Sequence, residues 1–153
     1  MKLFLDVEFN GERGELISLA LVPEDGEHTF YEVLRIDEPF WLATTATPFV
    51  KEHVLPVLGQ LPIPWNLYLT RLDNYLAYFR DVHVIADWPA DFEHLCAALS
   101  AIGAAGGYTS CVELTMQLVN TPKLNSAIPH NALEDAKALR DWWVTSHAQV
   151  THD

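Results

Sequence analysis

Basic residues are scarce in this sequence. Nine Lys and Arg stand against 21 Asp and Glu, a formal net charge of −12 with His neutral. A chain so poor in cations does not hold nucleic acid through an extended basic surface. It is still compatible with an enzyme that meets phosphate through bound divalent cations, because clustered carboxylates make a chain acidic while the loaded site is cationic. Cysteine is scarce as well. Cys96 and Cys111 lie in apolar surroundings with no C-x-x-C spacing. They read as two buried free thiols in a reducing cytoplasm, not as a disulfide or a zinc site. No apolar run comes near the ~18 residues that a membrane span needs, so no membrane partner is expected. The N-terminus does not read as a signal peptide, since Asp6 and Glu8 interrupt its first apolar run. Internal repeats and low-complexity stretches are lacking too.

The 153 residues, half of them hydrophobic and a fifth charged, suit one globular domain over 1–153. A chain of that length buries roughly 68–70% of its unfolded surface and needs no staples. Residues 3–9, 15–23 and 28–36 read as strands, with an Asp-Gly turn at Asp25-Gly26 joining the last two. After a connector over 37–48, residues 49–58 carry helical spacing and stop at Gly59. Residues 65–79 read as a helix with Leu69, Leu72, Leu76 and Phe79 on one face. A strand over 82–86, a helix over 90–102 ended by Gly103, Gly106 and Gly107, a short strand near 108–112 and a helix over 132–146 complete the chain. The pattern predicts an α/β fold: a mixed five-stranded sheet, with an antiparallel N-terminal meander followed by parallel strands and flanking helices.

Three segments concentrate carboxylates. Asp6 and Glu8, two apart on a strand, point to one face while Leu3, Leu5, Val7 and Phe9 point to the other. Two carboxylates side by side repel and resist desolvation, and a cation removes both problems; a solvated acidic edge strand is the plainer alternative. In residues 130–136 (HNALEDA), Asn131 is a good N-cap with Glu134 as capping-box partner. His130 then sits outside the helix and Asp135 in its first turns, so the two can converge although five positions apart. A capping histidine beside a first-turn acid, favoured by the helix dipole, is the plainer alternative. Asp87 and Asp91 lie where a strand ends and a helix begins, at the end of an α/β sheet where sites are built. One of them could equally be an N-cap.

In this order the three segments resemble the Exo I, Exo II and Exo III motifs of the DEDDh 3′→5′ exonucleases, the group of RNase T, oligoribonuclease and the proofreading exonucleases. DVEF at 6–9 is similar to Exo I and HNALEDA at 130–136 to Exo III. For Exo II, Asp91 with Leu95 fits the register, and Asp87 is the alternative. Residues 113–115 (ELT) resemble the Asp-Thr-Leu-type segment that precedes Exo III, with a glutamate as the departure. The likeness is greatest to small exoribonucleases of the RNase AS kind, through EHVLP at 52–56.

That resemblance implies an RNase H-like fold and a catalytic set of Asp6, Glu8, Asp91, His130 and Asp135. It implies two Mg²⁺ or Mn²⁺ ions held by the four carboxylates, roughly 3.5–4 Å apart as in two-metal sites generally. Asp6 would bridge the ions, Glu8 and Asp135 would complete the nucleophile side, and Asp91 would serve the other ion directly or through water. His130 would take the proton of the attacking water, a role imidazole suits near pH 7. The expected substrate is RNA with a single-stranded or overhanging 3′ end, releasing nucleoside 5′-monophosphates. DNA is the alternative polymer, and a catalytically silent nucleic-acid-binding module of the same fold the second alternative. Phe9 and Trp88 are candidate contacts for the terminal base. Trp41, Trp65, Trp142 and Trp143 read as core or dimer-contact residues, with the last pair a possible homodimer face. His53, His83, His94 and His147 match no motif and are expected to carry no chemistry. The acidic surface predicts a preference for short or terminal segments and a shallow salt dependence of binding.

Overall fold

The computed structural model describes residues 1–35, 45–105, 111 and 113–148. Strands β1 (Lys2–Phe9), β2 (Leu16–Pro23) and β3 (Phe30–Arg35) form the expected antiparallel meander. In the turn after β2, Gly26 takes φ +79° and donates its N–H to the Pro23 carbonyl at 2.9 Å. That backbone favours glycine. A two-residue strand β4 (Ile63–Pro64) leads into helix α1 (Trp65–Phe79). Then follow β5 (Asp81–Ala86), helix α2 (Pro89–Ala104), β6 (Glu113–Leu118) and helix α3 (Ala132–Ala148).

The sheet order is β4-β3-β2-β1-β5-β6, with β5 parallel to β1, β6 parallel to β5 and β4 parallel to β3. The sheet therefore has six strands and not the five expected. The addition is β4, at the edge, where Pro64 has no N–H to waste. A strand lies at Glu113–Leu118; of the short strand expected near 108–112, residues 108–110 and 112 are outside the described residues. Gly103 lies within α2 and does not end it, while Gly106 and Gly107 are outside the described residues.

Alternation along β1 positions the carboxylates. Leu3, Leu5 and Val7 enter the main core against Tyr68, Leu72 and Leu76 of α1 and Leu95 and Ala98 of α2. Phe4 turns to the other face, onto Leu139 and Trp143 of α3. Beside it, Ala20 and Val22 of β2 pack on Ala132 and Ala136. Each fully buried apolar side chain contributes ~1.5–3 kcal/mol, so a register slip in β1 would lose several at once. Asp6 and Glu8 are thus held on the Phe4 face, under the start of α3.

Two irregularities shape that face. Glu8 pairs with Ser18 but Phe9 pairs with Leu16, so Ile17 is the extra residue of a β-bulge. Ile17 turns to pack with Val33, Val50 and Val54. Residues 49–58 do not form one regular helix. A π-helical turn (Val50–Val54) runs into a 3₁₀ turn (Leu55–Val57). Pro56 offers no N–H for an α-helical bond, and the Leu55 N–H reaches back to the Val50 carbonyl. Gly59 follows with φ +72°.

The aromatic residues of α3 serve the chain's own core. Trp143 is buried, stacks on His147 with centroids 3.8 Å apart and lies 6.0 Å from Phe4. Trp142 packs beside it, half-buried. Trp65 is exposed, and Trp41 is outside the described residues. Cys96 is exposed and Cys111 half-buried, both free, so neither is the buried thiol expected. No described helix is long and apolar enough to cross a membrane.

Candidate active site

β1, β5 and β6 run parallel, and their carboxyl ends carry the acidic residues. Asp6 and Glu8 stand on β1, Asp87 directly follows β5, and Thr121 lies three residues beyond β6. Asp91 sits in the first turn of α2, and Asp135 in the first turn of α3. The ends of these elements meet at one cleft of about 620 Å³, lined by Asp6, Asp87, His130 and Asp135 together with residues 122–126 and Pro129.

Two clusters of ligand-type atoms form there. Oxygens of Asp6, Asp87 and Asp91 lie within 4.8 Å of one another, and so do ligand atoms of Glu8, His130 and Asp135. All five residues of the expected catalytic set are thereby brought together, from segments up to 129 positions apart (Asp6 to Asp135). Asp87 and Asp91 are both present in one cluster, so the choice between them does not arise in the geometry. Neither is an N-cap, since Trp88 occupies that position.

His130 and Asp135 converge through a tight reversal. His130 has φ +66°, a left-handed backbone that costs roughly 1–2 kcal/mol in a residue with a Cβ. Its N–H donates to Asp135 Oδ2 at 3.0 Å. Asn131 caps α3 as expected, its Oδ1 accepting the Glu134 N–H at 3.2 Å, while its Nδ2 donates to the Val57 carbonyl at 2.7 Å. The reciprocal half of the capping box is replaced. The Asn131 N–H goes to the Ile128 carbonyl at 3.2 Å, and the Glu134 carboxylate accepts Lys137 Nζ at 2.6 Å.

The charges are poorly neutralised. Burial, with Asp91 and Glu8 close by, holds the Asp6 carboxyl well above the usual carboxylate range. Burial and then Asp135 push Glu8 up to about 7. Burial, then Asp87 and Glu8, push Asp91 up to about 8, against opposing hydrogen bonds from the backbone at Trp88 and Val7. Burial also raises Asp135, while the hydrogen bond from the His130 N–H pulls it back. Among the described residues, Asp6 Oδ2 and Asp91 Oδ2 are sealed from solvent with no hydrogen-bond partner. Orphaned, desolvated carboxylate oxygens facing other carboxylates fit a hard divalent cation such as Mg²⁺ or Mn²⁺. An all-carboxylate trio offers neither the thiolate nor the imidazole set typical of zinc.

Several residues near the site were not legible as such. His53, expected to carry no chemistry, places its ring 5.8 Å from that of His130, and Phe49 lies 5.0 Å from His130 and 4.8 Å from His53. The four-residue spacing of Phe49 and His53 was the available signal. The π turn that carries them is anchored to the end of β1 by Asn10, whose Oδ1 accepts the Thr47 N–H at 2.9 Å. Thr121 Oγ1 donates to Asp87 Oδ2 at 2.6 Å. Glu113, in the segment that resembles the one preceding the last motif, opens β6 opposite Asp81, at the far end of that strand from the cleft.

The two candidate base contacts differ. Phe9 packs on the main core, with its ring 5.0 Å from that of His94. Trp88 is 62% exposed at the start of α2. Phe9→Ala is expected to lower the melting temperature by roughly 3–8 °C, as loss of one to two kcal/mol does in a domain of this size. Trp88→Ala is expected to leave it within about 2 °C. Thermal denaturation of both variants checks the pair. The chain matches no known family and no curated protein.

Proposed function

We propose that this protein is a two-metal-ion 3′→5′ exonuclease of the DEDDh type, acting on RNA and releasing nucleoside 5′-monophosphates. One observation carries the reading: Asp6, His130 and Asp135 line one cleft, Asp91 clusters with Asp6 and Glu8 with His130 and Asp135, and buried oxygens of Asp6 and Asp91 are left unpaired. A fold of this class hosts many functions, so the reading rests on these residues and on the motif resemblance, not on the architecture.

Asp6, Asp91, Glu8 and Asp135 would hold the cations. When bound, Mg²⁺ or Mn²⁺ supplies Lewis-acid stabilisation of phosphate charge and an acidified water. His130 accepts the proton of the attacking water, and its position is kept by the bond from its own N–H to Asp135. Lys123 lines the same cleft and is the nearby cation for an incoming phosphate. With so few other basic residues, recognition is confined to a chain end, which supports short or terminal substrates. Two free thiols fit a reducing cytoplasm.

His130→Ala is expected to slow nucleotide release by about 10²–10⁴-fold, the usual contribution of a general base, while Mn²⁺ still binds. Quantifying nucleoside 5′-monophosphate by chromatography, beside Mn²⁺ uptake, tests this. Unchanged release would remove His130 from the mechanism.

A further inference from the structure

We infer that Asp87 is a fifth carboxylate ligand, so that Asp6, Asp87 and Asp91 form a complete three-carboxylate seat for one divalent cation. This rests on the cation part of the function proposed above and not on its nuclease part. The oxygens of the three side chains lie within 4.8 Å of one another. Asp91 is 2% exposed, and its Oδ2 has no hydrogen-bond partner among the described residues. An unpaired carboxylate oxygen at that depth is costly unless a cation or a proton takes it. Asp6 Oδ2 is likewise sealed from solvent without a hydrogen-bond partner.

Asp87 is held for this role. Thr121 Oγ1 donates to its Oδ2 at 2.6 Å, a short bond of the charge-assisted kind. That bond fixes the carboxylate from beyond the end of β6 and leaves Oδ1 for a ligand. Among the described side chains, no Lys or Arg forms an ion pair with Asp6, Asp87 or Asp91. Nothing but a cation or protons would then offset three carboxylates so close together. The consequence is a seat that fills without substrate, because three protein oxygens supply half of an octahedral shell. Glu8 and Asp135 are left to the other ion. Thr121 acts through Asp87 and is a positioning residue.

Mn²⁺ binding to the whole chain, with no nucleic acid present, tests this. Free Mn²⁺ is read by electron paramagnetic resonance during titration of wild type, Asp87→Asn, Thr121→Val and Asp135→Asn. The wild type is expected to take two Mn²⁺ per chain. Asp87→Asn should weaken one of them at least 10-fold and spare the other; Asp135→Asn should weaken the other. Thr121→Val should weaken the Asp87 site by a few-fold. Melting separates a ligand from a merely structural acceptor. As a ligand, Asp87→Asn raises the melting temperature of the metal-free protein, through relief of repulsion, and shrinks the Mn²⁺-induced rise. A lowered metal-free melting temperature with the full Mn²⁺-induced rise would overturn the inference, as would unchanged Mn²⁺ binding by Asp87→Asn. Two bound Mn²⁺ without RNA hydrolysis would leave the inference standing and remove the nuclease reading alone.

Discussion

Asp6→Asn is expected to lower nucleotide release from RNA by about 10³-fold or more and at the same time to stabilise the metal-free protein. The activity loss follows from the place of Asp6, within 4.8 Å of Asp87 and Asp91, on the same face of β1 as Glu8 and close enough to Glu8 and Asp135 to feel their charge. Removing its charge weakens the hold on both cations, and a metal's share of transition-state charge stabilisation is several kcal/mol. The stability gain follows from burial. The Asp6 carboxyl is desolvated, faces Asp91, Glu8 and Asp135, and leaves Oδ2 unpaired. An amide of the same shape removes the repulsion. The metal-free melting temperature should rise by roughly 2–6 °C. Parallel measurement of turnover and melting checks both halves. A variant that loses activity and also melts lower would assign Asp6 a structural role instead.

The second large effect is on pH. Glu8 sits at about 7 and Asp91 at about 8 in the folded chain, and Asp6 is raised as well, against ordinary values near 4. Raised carboxyl pKa values mean that between about pH 4 and 8 the folded state binds more protons than the unfolded state. Stability from these groups is therefore full below the unfolded values and is lost as pH rises through the folded ones. The metal-free melting temperature should fall by roughly 5–10 °C between pH 5 and pH 8.5. Cations compete with those protons, so saturating Mg²⁺ or Mn²⁺ should stabilise more at pH 8.5 than at pH 5. Calorimetry at both pH values, with metal and with EDTA, reads this. A metal-free melting temperature that climbs over this range would contradict the burial of these carboxylates.

Much of this was legible in the sequence, and for local reasons. The alternation of Leu3, Leu5 and Val7 with Asp6 and Glu8 predicts both the strand and the face of its carboxylates, and the structure has both. Asn131 as a helix cap predicts that His130 falls outside α3 and Asp135 inside it, as found. The misses are tertiary. β4 has two residues and no periodicity. The π turn over Val50–Val54 reads as an ordinary helix because only its backbone bonding distinguishes it. Trp143 packs with Phe4 and Leu139, contacts that only the folded chain makes visible. Thr121 sits in no motif, and His53, although within the EHVLP segment, reads as having no chemical role. They reach the site only because β6 ends near Asp87 and the Asn10–Thr47 bond seats the π turn next to His130.

The central claim, a cation-dependent exonuclease working from the 3′ end, is tested most directly on a 5′-labelled RNA oligomer and its DNA counterpart. Each is incubated with Mg²⁺, Mn²⁺ or EDTA and with wild type, Asp6→Ala or His130→Ala. The predicted result is a ladder of RNA shortening from the 3′ end in either metal, absent with EDTA and in both variants, with DNA degraded more slowly. No shortening of either polymer in any metal would contradict the account.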